Sequence, residues 1–188
     1  EIEENNPDAH EYKGKALKSM GDIEGAIASF ERSSNLDDYR PSAYVLAAHC
    51  HIHMDNYEEA IRSISRLNCE DKMKPEYEYH RIMGTSLIMI GRPKDAKPIL
   101  QEGENIHKDP DYNELLLYSS VKSRNYLDAL RYAKETIMGF ALQNMNPHTL
   151  IRKQTIIEQL LTVNEMPTRE FLEFTTSLTS FPHSITKH

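Results

Sequence analysis

The run AAHCHIHMDNY, residues 47 to 57, holds the densest set of reactive side chains in the chain. His49, His51 and His53 alternate with Cys50 and Ile52, and Asp55 follows closely. Imidazole, thiol and carboxylate are the zinc-binding side chains, and imidazole is also the group that titrates near neutral pH. His49 and His53 are four residues apart, so a helix would place them on one face as a metal-compatible pair. A zinc site needs a third and usually a fourth ligand, oriented by further hydrogen bonds. Cys50 would point elsewhere on the same helix, and Asp55 falls where the pattern turns. The reading is therefore a histidine pair without further ligands, and no metal or other cofactor is expected.

Catalysis has little support elsewhere. The chain contains no Gly-rich phosphate loop, no nucleophile elbow, no HExxH and no CxxC. Adjacent acids such as Glu58–Glu59 and Asp37–Asp38 read as solvated surface, and no catalytic residue is assigned. Two cysteines in 188 residues do not make a disulfide framework. The formal charge is −7, from 29 acids and 22 bases, which gives no basic face for nucleic acid. Residues 1–40 carry ten acids and five bases, so the negative charge gathers at the front. Apolar runs such as LLLY are far shorter than the roughly 20 residues that span a bilayer, so no membrane insertion is expected. There is no signal-peptide pattern, and the chain begins with Glu rather than Met, as a processed or excised piece would. A cytoplasmic setting is the expectation.

The elements that must position these residues repeat. GDIEGAIASFERS, DNYEEAIRSISRL, GRPKDAKPILQEG and RNYLDALRYAKET align on Ala26, Ala60, Ala96 and Ala129, with spacings of 34, 36 and 33. Twelve residues before each alanine stands Gly14, Ala48, Gly84 or Leu117; four after it stands Phe30, Ile64, Leu100 or Ala133. Small residues let two helices cross closely, and large ones fill the seam beside them. Pro7, Pro41, Pro75 and Pro110 stand where first helices would begin, and Gly21, Asp55, Gly91 and Arg124–Asn125 stand in the turns between helices. This pattern resembles the tetratricopeptide repeat, a helix–turn–helix unit of 34 residues. The resemblance covers about three quarters of the chain. It implies an all-α, right-handed superhelical solenoid of antiparallel helix pairs, with units at about 7–40, 41–74, 77–109 and 110–145. Residues 146–181 read as a capping helix pair. Leu150, Ile157, Leu160 and Leu161 form the first apolar face, capped by Asn146 or Thr149; Phe171, Phe174, Leu178 and Phe181 form the second. Residues 1–6 and 182–188 are expected to be flexible ends. Pro98 inside the second helix of the third unit predicts a kink or a late start there.

In this family the first helices line a concave groove that holds partner segments. The matching positions here are Glu11 and Lys15; Val45, Leu46, His49 and His53; Arg81, Ile82, Thr85 and Met89; and Glu114 and Tyr118. Ile52, Ile88 and Val121 also fall at groove positions but read as packing between helices. His51, His10 and His80 fall at packing positions, and Lys15 and Thr85 are the expected neighbours of His49. Cys50 and Cys69 should lie too far apart along the helix axis to bond. The family's basic clamp for chaperone tails would need Lys, Asn and Arg where this chain has Glu11, Lys15, Leu46, Glu78 and Ile82, so that ligand is not expected. The resemblance thus implies a protein-interaction module, an adaptor or scaffold that buries aliphatic side chains of a protein or peptide partner and uses Glu11, His49, His53, Arg81 and Glu114 for polar specificity. The alternatives are a small secretion chaperone of the same repeat type, which would self-associate, and a regulatory or sensor domain of a larger protein. A homo-oligomer is compatible with each.

Overall fold

One turn is built four times. In the computed structural model, which describes residues 5–37, 40–69, 76–142 and 146–163, Gly21, Asp55, Gly91 and Arg124 all have positive φ, at 86°, 59°, 79° and 57°. The residue after each donates its N–H five residues back: Asp22 to Leu17, Asn56 to His51, Arg92 to Leu87 and Asn125 to Ser120, at 2.8–3.0 Å. Each positive-φ residue donates three back, to Lys18, Ile52, Ile88 and Val121, at 3.0–3.1 Å. This is the Schellman closure of a helix end, which satisfies the last carbonyls and reverses the chain. Glycine fills it without strain twice; Asp55 and Arg124 adopt the left-handed conformation despite their Cβ atoms.

The described residues form nine α-helices, a short 3-10 turn at Arg66–Cys69, and no strand. The helices are α1 (Pro7–Ser19), α2 (Ile23–Leu36), α3 (Pro41–His53), α4 (Tyr57–Ser65), α5 (Glu76–Met89), α6 (Pro93–His107), α7 (Pro110–Lys122), α8 (Tyr126–Leu142) and α9 (Pro147–Val163). Their starts are specified locally. The Asn6 side chain accepts from Asp8 and Ala9 N–H ahead of Pro7, Asp109 accepts from Asp111 N–H ahead of Pro110, and Asn146 accepts from His148 N–H ahead of Pro147. Asp22 caps α2 through Gly25 N–H at 2.9 Å. Helix α6 begins at Pro93 and runs through Pro98 to His107, so the expected late start does not occur. Pro98 simply leaves one carbonyl of the first turns without its helical partner.

The chain divides into two compact units, Glu1–Ile99 and Leu100–His188. In the first, each helix packs on the next from α1 to α5, and α3 also meets α5. A Cβ built on Gly14 would stand 2.6 Å from the Phe30 ring, so α1 and α2 cross as closely as the small-residue rule requires. Phe30, Ala26, Ala47 and Cys50 form a core cluster against which Leu17, Ile23, Ile27 and Leu46 pack. Ser33 ties the end of α2 to the start of α1 by donating to the Pro7 carbonyl at 2.7 Å. In the second unit α7 packs on α8 and α8 on α9. Leu117 and Ala133, where small and large residues would be usual, are both fully buried, so the exchange in size fills the same space. Helix α9 buries Ile157 and Leu161. The second capping pattern, the tail after it and residues 1–4 lie outside the described residues.

Candidate functional site

The buried positions of the first helices recur. In α3 they are Ala43, Tyr44, Ala47, Ala48, Cys50 and His51; in α5, Tyr79, His80, Met83, Gly84, Ser86 and Leu87 occupy the equivalent places. This leaves one face of each first helix less covered, and in the first unit that face runs over α1, α3 and α5. Val45, Leu46, His49 and Thr85 are half-buried, while His53 and Met89 are exposed.

Ile82 departs from this. It is only 1% exposed, and so is a core residue rather than a groove contact. It lies one turn after Glu78 on α5, and its apolar side chain is enclosed by the packing of the first unit. Val121, at another groove position, is also buried, whereas Ile52 and Ile88 are half-buried.

The polar groups of the row are linked to one another. Glu11 is 8% exposed, receives Lys15 at 2.6 Å and Ser42 at 2.8 Å, and pairs with Arg40 at 3.2 Å. Burial pushes the Glu11 carboxyl upward, but the hydrogen bonds from Lys15 and Ser42, with the charges of Lys15 and Arg40, more than offset it and leave the pKa below its ordinary value. Arg40 also binds Asp8 and Asp37, which anchors the entry to α3 on α1. Glu11 therefore serves the helix seam.

His49 donates from Nε2 to Glu78 Oε2 at 3.0 Å, and Arg81 donates to the same oxygen at 3.3 Å. Arg81 also lies over the Tyr77 ring, 5.8 Å from its centre. The hydrogen-bond partner of His49 is thus Glu78. Between α3 and α5 the ninth position of one unit therefore reaches the second of the next. Burial lowers the His49 pKa; Arg81 and Lys18 act in the same direction, and Glu78 opposes them. His51 is buried, with Nδ1 lacking a hydrogen-bond partner, and the buried Cys50 thiol is a free cysteine whose pKa is raised by burial. The side chain of Cys69 lies outside the described residues. No three His, Cys, Asp or Glu side chains come together as a metal site among the described residues.

In the second unit Glu114 binds Lys153 of α9 at 2.6 Å. Burial and the Glu114 charge raise the neighbouring Tyr118 pKa, with Lys153 opposing. The sequence marks Glu78 only as a position of the chaperone-tail clamp and Lys153 not at all, because nothing in residues 29 and 39 positions apart announces their contacts with His49 and Glu114.

A family model described as tetratricopeptide repeat matches residues 9–39 and 41–67. These two segments carry tetratricopeptide repeats. The matched segments span α1 to α4, and the two further Schellman turns continue the same all-α solenoid pattern. No curated protein sequence matches the chain. Among solved structures it is similar to MamA from Desulfovibrio magneticus RS-1, with TM-score 0.73 at 11% identity over 97% of each chain. It is also similar to YrrB, described as a TPR protein with an unusual peptide-binding site, with TM-score 0.62 at 16% identity over 92% of this chain and 93% of that one. PilF of Pseudomonas aeruginosa gives TM-score 0.61 at 16% identity, covering 92% and 82%. These likenesses are of fold. No helix among the described residues of this repeat protein is long and apolar enough to cross a membrane.

Proposed function

We propose that this tetratricopeptide-repeat chain is a protein-interaction module whose first unit holds a partner segment along the α1, α3 and α5 face. The observation that carries this reading is the uneven cover of those helices. Their packing positions are sealed, yet Leu46, His49 and Thr85 remain half-open, and Met89 is 55% exposed beside them. Apolar side chains with a few oriented polar groups suit a peptide that places aliphatic anchors and makes a small number of hydrogen bonds. The peptide-binding site named for YrrB supports the same reading on a similar fold. His53 and Arg81 supply polar contacts at the rim. Ile82 contributes by supporting α5 from within.

The test is peptide selection on the intact chain, followed by substitution. Peptides enriched by the wild type should lose binding to a Leu46→Glu, Met89→Glu variant. They should retain it with Leu127→Glu, a change at an exposed residue of α8. Circular dichroism melts establish that each variant is folded. Equal binding by all three proteins would remove the first-unit face from consideration.

A further inference from the structure

The second unit carries a polar cleft of its own. Gln101 and Glu104 of α6, Asn113 of α7, and Arg131, Tyr132 and Glu135 of α8 line a cavity of about 490 Å³. Small-ligand sites span about 300–1,000 Å³. The base of the cleft is held in place. Tyr132 is buried, and its hydroxyl accepts from Gln101 Nε2 at 2.9 Å, which ties α8 to α6.

The acceptors of the cleft are poorly served. Among the described residues the Glu104 carboxylate has no ion-pair or hydrogen-bond partner, and Glu135 has only Arg131, at 4.0 Å. Arg131 lies over the Tyr132 ring, 4.4 Å from its centre, and is divided between Glu135 and Asp128, the latter 3.6 Å away. Both separations exceed a direct hydrogen bond. Asn113 Oδ1 is shut away from water and has no hydrogen-bond partner. It loses no bond by turning about χ2 toward the cavity, and that torsion is broad. Burial raises the Glu135 pKa; Arg131 opposes it, and the Glu104 charge adds to it. The cleft thus combines a negative excess with an acceptor that lacks a donor.

We propose that this cleft receives the guanidinium of an arginine side chain of a partner protein, held between Glu104 and Glu135. An anion would meet two poorly neutralised carboxylates. A metal ion needs more ligands than are gathered here, since no three His, Cys, Asp or Glu side chains come together among the described residues. An apolar group would leave the carboxylates unpaired. An ammonium is a compact, strongly hydrated point charge with three donors. A guanidinium sheds water more readily and spreads five donors in one plane, so it can reach a carboxylate on each side and Asn113 Oδ1 together. A free amino acid brings a carboxylate that the glutamates repel, so the arginine belongs within a chain. The site lies in the second unit and does not rest on the reading of the first-unit face.

The experiment is an NMR titration of the full chain at constant ionic strength with three capped tripeptides. These are acetyl-Gly-Arg-Gly-amide, acetyl-Gly-Lys-Gly-amide and acetyl-Gly-citrulline-Gly-amide, the last keeping the shape of arginine without its charge. The arginine peptide should bind about fivefold or more tightly than either of the others, the scale of two partly exposed ion pairs. The side-chain amide resonances of Gln101 and Asn113 should move with it. Glu104→Gln with Glu135→Gln should abolish the preference while circular dichroism shows the fold intact. Glu24→Gln with Glu58→Gln, which removes the same charge from exposed positions of the first unit, should preserve it. Equal affinity for the arginine and citrulline peptides overturns the proposal, and so does equal affinity for arginine and lysine. A preference that survives the first pair of substitutions, or is lost equally with the second, overturns it as well. Shifts that leave Gln101 and Asn113 unmoved place any binding elsewhere and refute the site.

Discussion

The closeness of α1 and α2 can be tested at Gly14. A Cβ there would lie 2.6, 2.7 and 2.9 Å from three carbons of the Phe30 ring. Ordinary carbon contacts are about 3.5–4.0 Å, so the overlap is about 1 Å. Phe30 is fully buried, so its ring does not stand free in solvent. Gly14→Ala should therefore carry an overpacking cost toward the upper part of the roughly 1–3 kcal/mol range. Helix propensity gives back about 1 kcal/mol, because alanine replaces glycine in a helix interior. The net is a loss of about 1–2 kcal/mol, which for a chain of this size lowers the melting temperature by roughly 2–8 °C. The Phe30→Leu background separates the two terms. Removing the ring relieves the overlap, so Gly14→Ala should become neutral or stabilising by about 1 kcal/mol there. Urea unfolding of the four proteins measures the cycle. If Gly14→Ala stabilises the wild-type protein as much as the Phe30→Leu protein, the close crossing does not exist and the argument for small residues at this position fails.

Arg124 adopts φ 57° in a turn that glycine fills at Gly21 and Gly91. Arg124→Gly should raise stability by about 0.5–1 kcal/mol, relief of left-handed strain less the added freedom of the unfolded chain; a thermal melt that stays level or falls would contradict it. His49 protonates less readily folded than unfolded, so its contribution is fully present above about pH 6.5 and is lost as pH falls toward the lower folded pKa. His49→Gln should therefore lose less stability than wild type between pH 7 and pH 5 in urea titrations, and an equal loss would refute the reasoning. Leu161 is fully buried on α9, so Leu161→Ala should cost about 2–5 kcal/mol and expose α9 amides to hydrogen exchange; unchanged protection would show that α9 is held by other contacts.

Local chemistry made much of the architecture legible. Gly21, Asp55, Gly91 and Arg124 follow the same 34, 36 and 33 spacing as the alanines, because a Schellman turn has a fixed place relative to the helices it joins. Asn6, Asp22, Asp109 and Asn146 act on backbone N–H groups only two or three residues away, so their roles follow from short-range sequence. The candidate site was legible only in part. The period correctly separates His51, which is buried, from His49 and His53, which are not. It could not place Ile82 inside, since groove and seam positions alternate within one helical turn and the packing around α5 decides which is covered. Nor could it pair His49 with Glu78. Helical periodicity determines which residues share a face; the offset at which two faces meet is set by how their side chains interlock, and that exists only in the packed structure.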